Sequence, residues 1–216
     1  MYKILNQEVF KIVYKRVIKS KLISKAIILT TTLKTDDKIV KICKKSKIPY
    51  FRGNSLNVLK RYYYAAKKYN LKNIVRITSD CPLVDPEVID KICKKYSSKK
   101  YHYVSNVLKP TYPDGYDVEI FNFNTLEKVY RKAKTKFEKE HVTTKMIKDK
   151  NLKKINIQLY KNYSNFRFTL DTISDFNKIK EIFEKEKSIY KPNLNLVLRE
   201  ALKKGNYYKI KRQNYF

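Results

Sequence analysis

Apolar residues along the chain recur at two spacings, one helical and one strand-like. Val9, Ile12, Val13, Tyr14, Val17 and Ile18 mark one face of a helix. AIILTT, from Ala26, is a continuous apolar run of strand length. Thr35-Asp36-Asp37 opens a helix to about Lys45, and IPYF at Ile48 forms a short strand. Ser55 is placed to cap a helix carrying Leu56, Leu59, Tyr62, Tyr63 and Ala66. A strand follows through Ile74, Val75 and Ile77, then a helix from Pro86 to about Tyr96. YHYVSN and VEIFNF are two further strands. Asn124-Thr125-Leu126-Glu127 resembles a capping box that opens another helix. The pattern then predicts a helix from about Phe137 to Asp149 and the strands KINIQL and FRFTLD. Helices from about Ser174 to Glu186 and from about Leu194 to Lys203 complete the chain. Helices and strands alternate throughout. That order predicts an α/β fold with a mixed, mostly parallel sheet covered by helices on both faces.

Composition adds limits. The 216 residues, 43% of them hydrophobic, suit one folded domain spanning 1–216. No apolar run reaches bilayer length, and the N-terminus lacks a signal-peptide pattern, so a soluble cytoplasmic protein is expected. Cys43, Cys81 and Cys93 lack metal-ligand spacing and read as reduced thiols. The net charge is +30, yet arginine stands at only eight positions. Abundant Lys, Ile, Asn and Tyr with scarce Gly, Pro and Trp is what AT-rich coding sequence produces. The lysines are spread along the whole chain, and no clustered basic patch interleaves with aromatics. A dedicated nucleic-acid partner is therefore not expected, and a basic RNA-binding protein is the lowest-ranked alternative. A basic surface would still steer nucleotides and acidic sugars weakly.

The chemistry-bearing residues sit at strand ends. IVRITSDCPLVDPE, from Ile74, runs from a buried strand into a polar turn presenting Asp80, and Asp85-Pro86-Glu87 then starts a helix. Ligands in α/β folds bind outside the carboxyl ends of strands. A carboxylate there suits a divalent cation that in turn holds phosphate; the alternative is a turn aspartate bonding its own backbone. FRFTLDTISD repeats the layout, placing Asp171 at a second strand end, where it either faces the same cation or starts the next helix. In YPDGYDVEIF, Asp117 and Glu119 alternate with Val118 and Ile120 and share one strand face. They could accept hydrogen bonds from sugar hydroxyls, or face solvent beside lysines. Glu138, His141 and Lys145 fall at helical spacing, with His141 either a contact to an acidic substrate or structural. Arg76 lies on the strand that delivers Asp80 and could meet phosphate. Arg52-Gly53 follows IPYF and could approach a ligand by its backbone. His102, Cys81 and the Tyr62-Tyr63-Tyr64 run read as structural. No Gly-rich phosphate loop is present; the glycines are Gly53, Gly115 and Gly205.

FRGNSLNVLKRYYYAAKKY, VRITSDCPLVDPEVID, YVSNVLKPTYPDGYDVEIF, EKEHVT and RFTLDTISDFNKIKEIF stand in the order and spacing of a known family. The chain resembles the cytidylyltransferases similar to spore coat polysaccharide biosynthesis protein F. These are relatives of the acylneuraminate and 3-deoxy-manno-octulosonate cytidylyltransferases. The terminal KRQNYF resembles the family's closing segment. The resemblance implies a nucleotide-diphospho-sugar transferase (Rossmann-like) fold, with Mg²⁺ as cofactor. It implies transfer of CMP from CTP to an acidic or modified sugar, with release of pyrophosphate, in surface polysaccharide or glycan biosynthesis. It further implies a homodimer and no membrane partner. On the family pattern Asp80 and Asp171 match the two metal-binding, catalytic aspartates. Arg76, Asp117, Glu119 and His141 match substrate-facing positions, and Arg52 is added to the substrate-binding set from its place after IPYF.

Two departures accompany the resemblance. The family opens on a strand and a loop of the type ARxxSxRLPGK, which grips the nucleotide, whereas Met1-Tyr2-Lys3-Ile4-Leu5 matches the stretch just after it. A truncated chain is expected, lacking the first strand and leaving its neighbours with unpaired backbone groups. A catalytically impaired remnant that binds sugar is the corresponding alternative. Ser79 stands where the family has glycine, and Asn57 where it commonly has aspartate.

Overall fold

The computed structural model describes residues 2–96 and 100–210; the KRQNYF segment lies outside the described residues. The described chain opens on a two-strand hairpin, β1 (Lys3–Ile4) and β2 (Gln7–Glu8), which the apolar pattern does not predict. Leu5 and Asn6 make its two-residue turn with φ of 46° and 58°, the left-handed geometry that suits a hairpin's twist. Then follow α1 (Val9–Val17), β3 (Ile28–Thr31), α2 (Asp37–Lys45), β4 (Tyr50–Gly53) and α3 (Val58–Lys68). The middle of the chain holds β5 (Asn73–Arg76), α4 (Pro86–Tyr96), β6 (Tyr103–Ser105), β7 (Glu119–Asn122) and α5 (Phe123–Lys132). The last third holds α6 (Lys136–Glu140), α7 (Thr144–Lys148), β8 (Lys154–Asn156), α8 (Ile173–Glu186) and α9 (Leu194–Lys203).

The strands form a mixed, mostly parallel arrangement. β3 and β4 pair in parallel. In the four-stranded sheet the order is β5-β7-β6-β8; β7 alone runs against its neighbours, so β5, β6 and β8 point the same way. The two sheets are separate: among the described residues β3 pairs only with β4, and β5 only with β7. Helices cover both faces. Val75, Val104 and Ile120 face a large core with α1, α4, α8 and α9, while Ile74, Tyr103 and Phe121 face a second cluster with α3, α5 and α7. Those alternations are the period-two signature of a sheet buried on both sides. Helix α1 reaches both sheets. Phe10 packs with Cys43, Ile48 and Ile28, whereas Val9, Ile12 and Val13 join the large core.

Four elements depart from the sequence expectation. FRFTLD is not a strand; its Phe166 and Arg167 make only isolated bridges, to Lys209 and Asp114. The α3 cap is Asn57, whose side chain accepts from Lys60 N, and not Ser55. The α5 cap is Asn122, accepting from Thr125 N, two residues before the expected box. The single helix expected over 137–149 is broken into α6 and α7 at His141–Thr143. Val142 there adopts φ 23° and is fully buried beside Leu59 and Met146. Placing that β-branched side chain in the core outweighs helix continuity. No helix among the described residues is long and apolar enough to cross a membrane.

Candidate active site

The turn after β5 presents Asp80, as its strand–turn pattern requires. Cys81 N donates to Thr78 O at 3.3 Å and Val84 N to Cys81 O at 3.1 Å, folding the chain twice before α4 begins. Asp80 is half-buried, and Oδ1 meets the Cys81 thiol at 3.5 Å. Its backbone carbonyl accepts from Leu170 N at 2.9 Å, which sets the Phe166–Leu170 segment alongside this turn. The Asp114 turn holds the same segment: Asp114 N donates to Phe166 O at 2.9 Å, and Phe168 N to Asp114 O at 2.8 Å. Gly115, at φ 99°, is pressed so close that a Cβ would stand 2.7 Å from the Phe168 carbonyl. No other residue fits that approach.

Asp171, one residue beyond Leu170, is thereby brought to the Asp80 turn. Its Oδ2 takes the Arg167 guanidinium and the Thr169 hydroxyl. It does not cap α8. Thr172 and Asp175 form that capping box. Burial raises the Cys81 thiol well above its ordinary value, and the charges of Asp80, Asp117 and Asp114 raise it further. Among the described residues no group of three or more His, Cys, Asp and Glu is arranged to hold a metal ion.

Glu119 parts company with Asp117. β7 begins at Glu119, which lies directly opposite Arg76 on β5 and Ser105 on β6. Glu119 is 3% exposed; Oε2 pairs with Arg76, and Oε1 accepts from Tyr103 Oη at 2.5 Å. Burial alone would lower the Arg76 pKa, but the Glu119 carboxylate overrides it and raises it. Burial, then Glu119, raises Tyr103 well above the ordinary value of 10. Arg76 and Glu119 therefore satisfy each other inside the sheet.

Arg52 is held by its own neighbourhood. Nε donates to Thr31 O at 2.8 Å, and Nη2 to Leu33 O at 3.0 Å and to Asp37 at 2.7 Å. His141 caps the end of α6 and packs on the Phe137 ring at 4.3 Å. No hydrogen bond or ion pair among the described residues joins it to Asp80 or Asp171. Arg16 was not singled out by the sequence reading. It is 1% exposed and donates to Val84 O (2.8 Å), Ile189 O (2.6 Å), Pro192 O (2.6 Å) and Leu83 O (3.4 Å). It thus fixes the stretch that follows Asp80. The available signal was an arginine continuing the Val9, Ile12, Val13 stripe.

Residues 1–209 match the family model described as Cytidylyltransferase. An uncharacterized protein of Methanocaldococcus jannaschii is 36% identical over 179 residues, covering 81% of this chain and 72% of that protein. Spore coat polysaccharide biosynthesis protein SpsF of Bacillus subtilis is 28% identical over 165 residues, covering 74% of this chain and 67% of that protein. A solved cytidylyltransferase from Leptospira borgpetersenii superposes with a TM-score of 0.86 at 28% identity, covering 96% of this chain and 88% of that one.

Proposed function

The chain belongs to the cytidylyltransferase family, a family of nucleotidyl-transferring enzymes, and from that premise we propose that it transfers CMP from CTP to an acidic or modified sugar, releasing pyrophosphate. A role in surface polysaccharide synthesis is supported by the likeness to the Bacillus subtilis protein. The observation that supports the reading is the 2.9 Å bond from Leu170 N to Asp80 O, which ties the segment leading into Asp171 to the turn that follows β5. The sugar hydroxyl oxygen bonds to the α-phosphorus as the bond to the β-phosphate oxygen breaks. Pyrophosphate leaves with the electron pair, and the hydroxyl proton passes to solvent.

In this reaction the protein's part is chiefly positioning and charge neutralisation. Asp80 and Asp171 are the residues that would hold Mg²⁺. The described hydrogen bonds engage only Oδ1 of Asp80 and only Oδ2 of Asp171, and Mg²⁺ commonly takes one or two carboxylates with water and phosphate completing its shell. When bound, the ion would neutralise charge on the phosphoryl oxygens. Asp117, half-buried near Asp80, would accept hydrogen bonds from the sugar. Arg16 would keep the Asp80 turn in place, and the Arg76–Glu119 pair would stiffen the sheet beneath it.

Pyrophosphate release from CTP with a panel of acidic sugars tests the reading. Asp80→Ala and Asp171→Ala should each lower the rate at least about a hundredfold with an unchanged fold. Near-normal release from Asp80→Ala would sink the assignment. Sugar binding with no release by the wild type would favour a sugar-binding role.

A further inference from the structure

The β4–α3 junction holds a cation that the reading above leaves unassigned. Helix α3 begins at Val58, soon after β4 ends at Gly53, so its first turn stands at the carboxyl end of the β3–β4 pair. Arg61 lies in that turn. A Cβ on Gly53 would come within 2.7 Å of Arg61 Cγ, so the absence of a side chain at Gly53 lets the arginine stem lie across the strand end. Nε of Arg61 is buried and has no hydrogen-bond partner among the described residues. Burial lowers the pKa of its guanidinium, with Tyr62 and Asp36 opposing.

The surrounding groups do not satisfy this charge. Asp36 forms no ion pair with it. Asp36 Oδ2 instead accepts from Thr30 Oγ1 (2.8 Å), Thr31 N (2.9 Å) and Thr31 Oγ1 (2.5 Å). Arg52 is held by Thr31, Leu33 and Asp37, and Arg76 by Glu119. Asn57 and Asn54 side chains occupy the backbone N–H groups of Lys60, Leu56 and Asn57 at the helix start. The buried Nε of Arg61 is left without a partner at this end.

A partly desolvated cation without a partner is costly, and an oxyanion removes that cost. A guanidinium on a packed stem is already oriented, so it loses little freedom on binding, and its planar fork matches phosphate oxygens. The carboxyl ends of parallel strands are where α/β folds place such ligands. We propose that Arg61, laid across Gly53, binds the phosphate chain of the nucleotide. This rests on the nucleotidyl-transfer reading for the identity of the ligand, while the anion site can be tested apart from it.

The test is calorimetric titration of the wild type, Arg61→Met, Arg61→Lys and Gly53→Ala with inorganic triphosphate and then with CTP. Urea unfolding of each variant runs alongside. Triphosphate should bind the wild type, and Arg61→Met should weaken it roughly tenfold or more, the loss of a charge-assisted hydrogen bond. Arg61→Lys should keep part of the affinity. Gly53→Ala should lower it by pushing the stem aside while the charge remains. Equal triphosphate affinity in wild type and Arg61→Met overturns the proposal, as does a wild type that binds no triphosphate. Weakened binding of N-acetylneuraminate with unchanged triphosphate binding overturns it too, in favour of a carboxylate site. Pyrophosphate release unaffected by Arg61→Met overturns Arg61 and leaves the transfer reading standing. Arg61-dependent triphosphate binding without any release from CTP supports the anion site and overturns the transfer reading.

Discussion

Two arginines of the chain, Arg76 and Arg61, are in opposite states. At the end of β5, Arg76 faces Glu119 across the ladder, and Tyr103 completes the carboxylate's bonding. At the start of α3, Arg61 lies over Gly53, and Asp36 is engaged by threonines. Arg76 Nε is also without a partner, but its charge is met through Nη1. The first region is closed electrostatically and serves the fold. The second is open and available to a ligand. Whether a charged residue near a cleft is structural or functional thus depends on whether its neighbours have already satisfied it.

Mutations should separate the two regions most sharply at Arg76. Arg76→Ala leaves Glu119 buried without its cation and should cost about 3–5 kcal/mol of stability in urea unfolding. Arg76→Met with Glu119→Leu removes both charges and should recover much of that loss. A double variant as unstable as the single one would show that the pair is not the closed unit described here. Tyr103→Phe is a smaller change, removing one hydrogen bond to Glu119, and should cost about 1–2 kcal/mol.

The same phenol gives a pH signature. Its folded-state pKa is raised above 10, so its contribution is present below that value and lost as pH rises through and beyond it. Unfolding midpoints measured from pH 8 to 11 should fall for the wild type and fall less for Tyr103→Phe. The smallest stability effect is expected at Arg61: Arg61→Met should stay within about 0.5 kcal/mol of the wild type, since no hydrogen bond of its guanidinium is lost. A loss of several kcal/mol there would move Arg61 into the structural class beside Arg76.

Much of the helical and strand pattern was legible because it depends on local spacing. The strand at Ile74, the Pro86 start of α4 and the bounds of α9 follow directly from periodicity and helix-start signals. The caps at Asn57 and Asn122 were each displaced by about two residues, because several capping-competent residues cluster at both starts. The break at Val142 was not legible: 137–149 carries a continuous helical spacing, and only a tertiary pocket beside Leu59 and Met146 bends it.

The sequence by itself determined the α/β alternation, the turn at Asp80 after β5 and the family pattern, because each is written in residue type and short spacing. The tertiary structure decided how the acids divide. Asp117 and Glu119, two residues apart, separate because register puts Glu119 opposite Arg76 while Asp117 precedes the strand. It also tied Leu170 to Asp80 through a backbone bond between segments about ninety residues apart, and set Arg61 across Gly53. The physical reason is common to all three. A charge's role depends on burial and on which partner reaches it, and those partners come from distant parts of the chain.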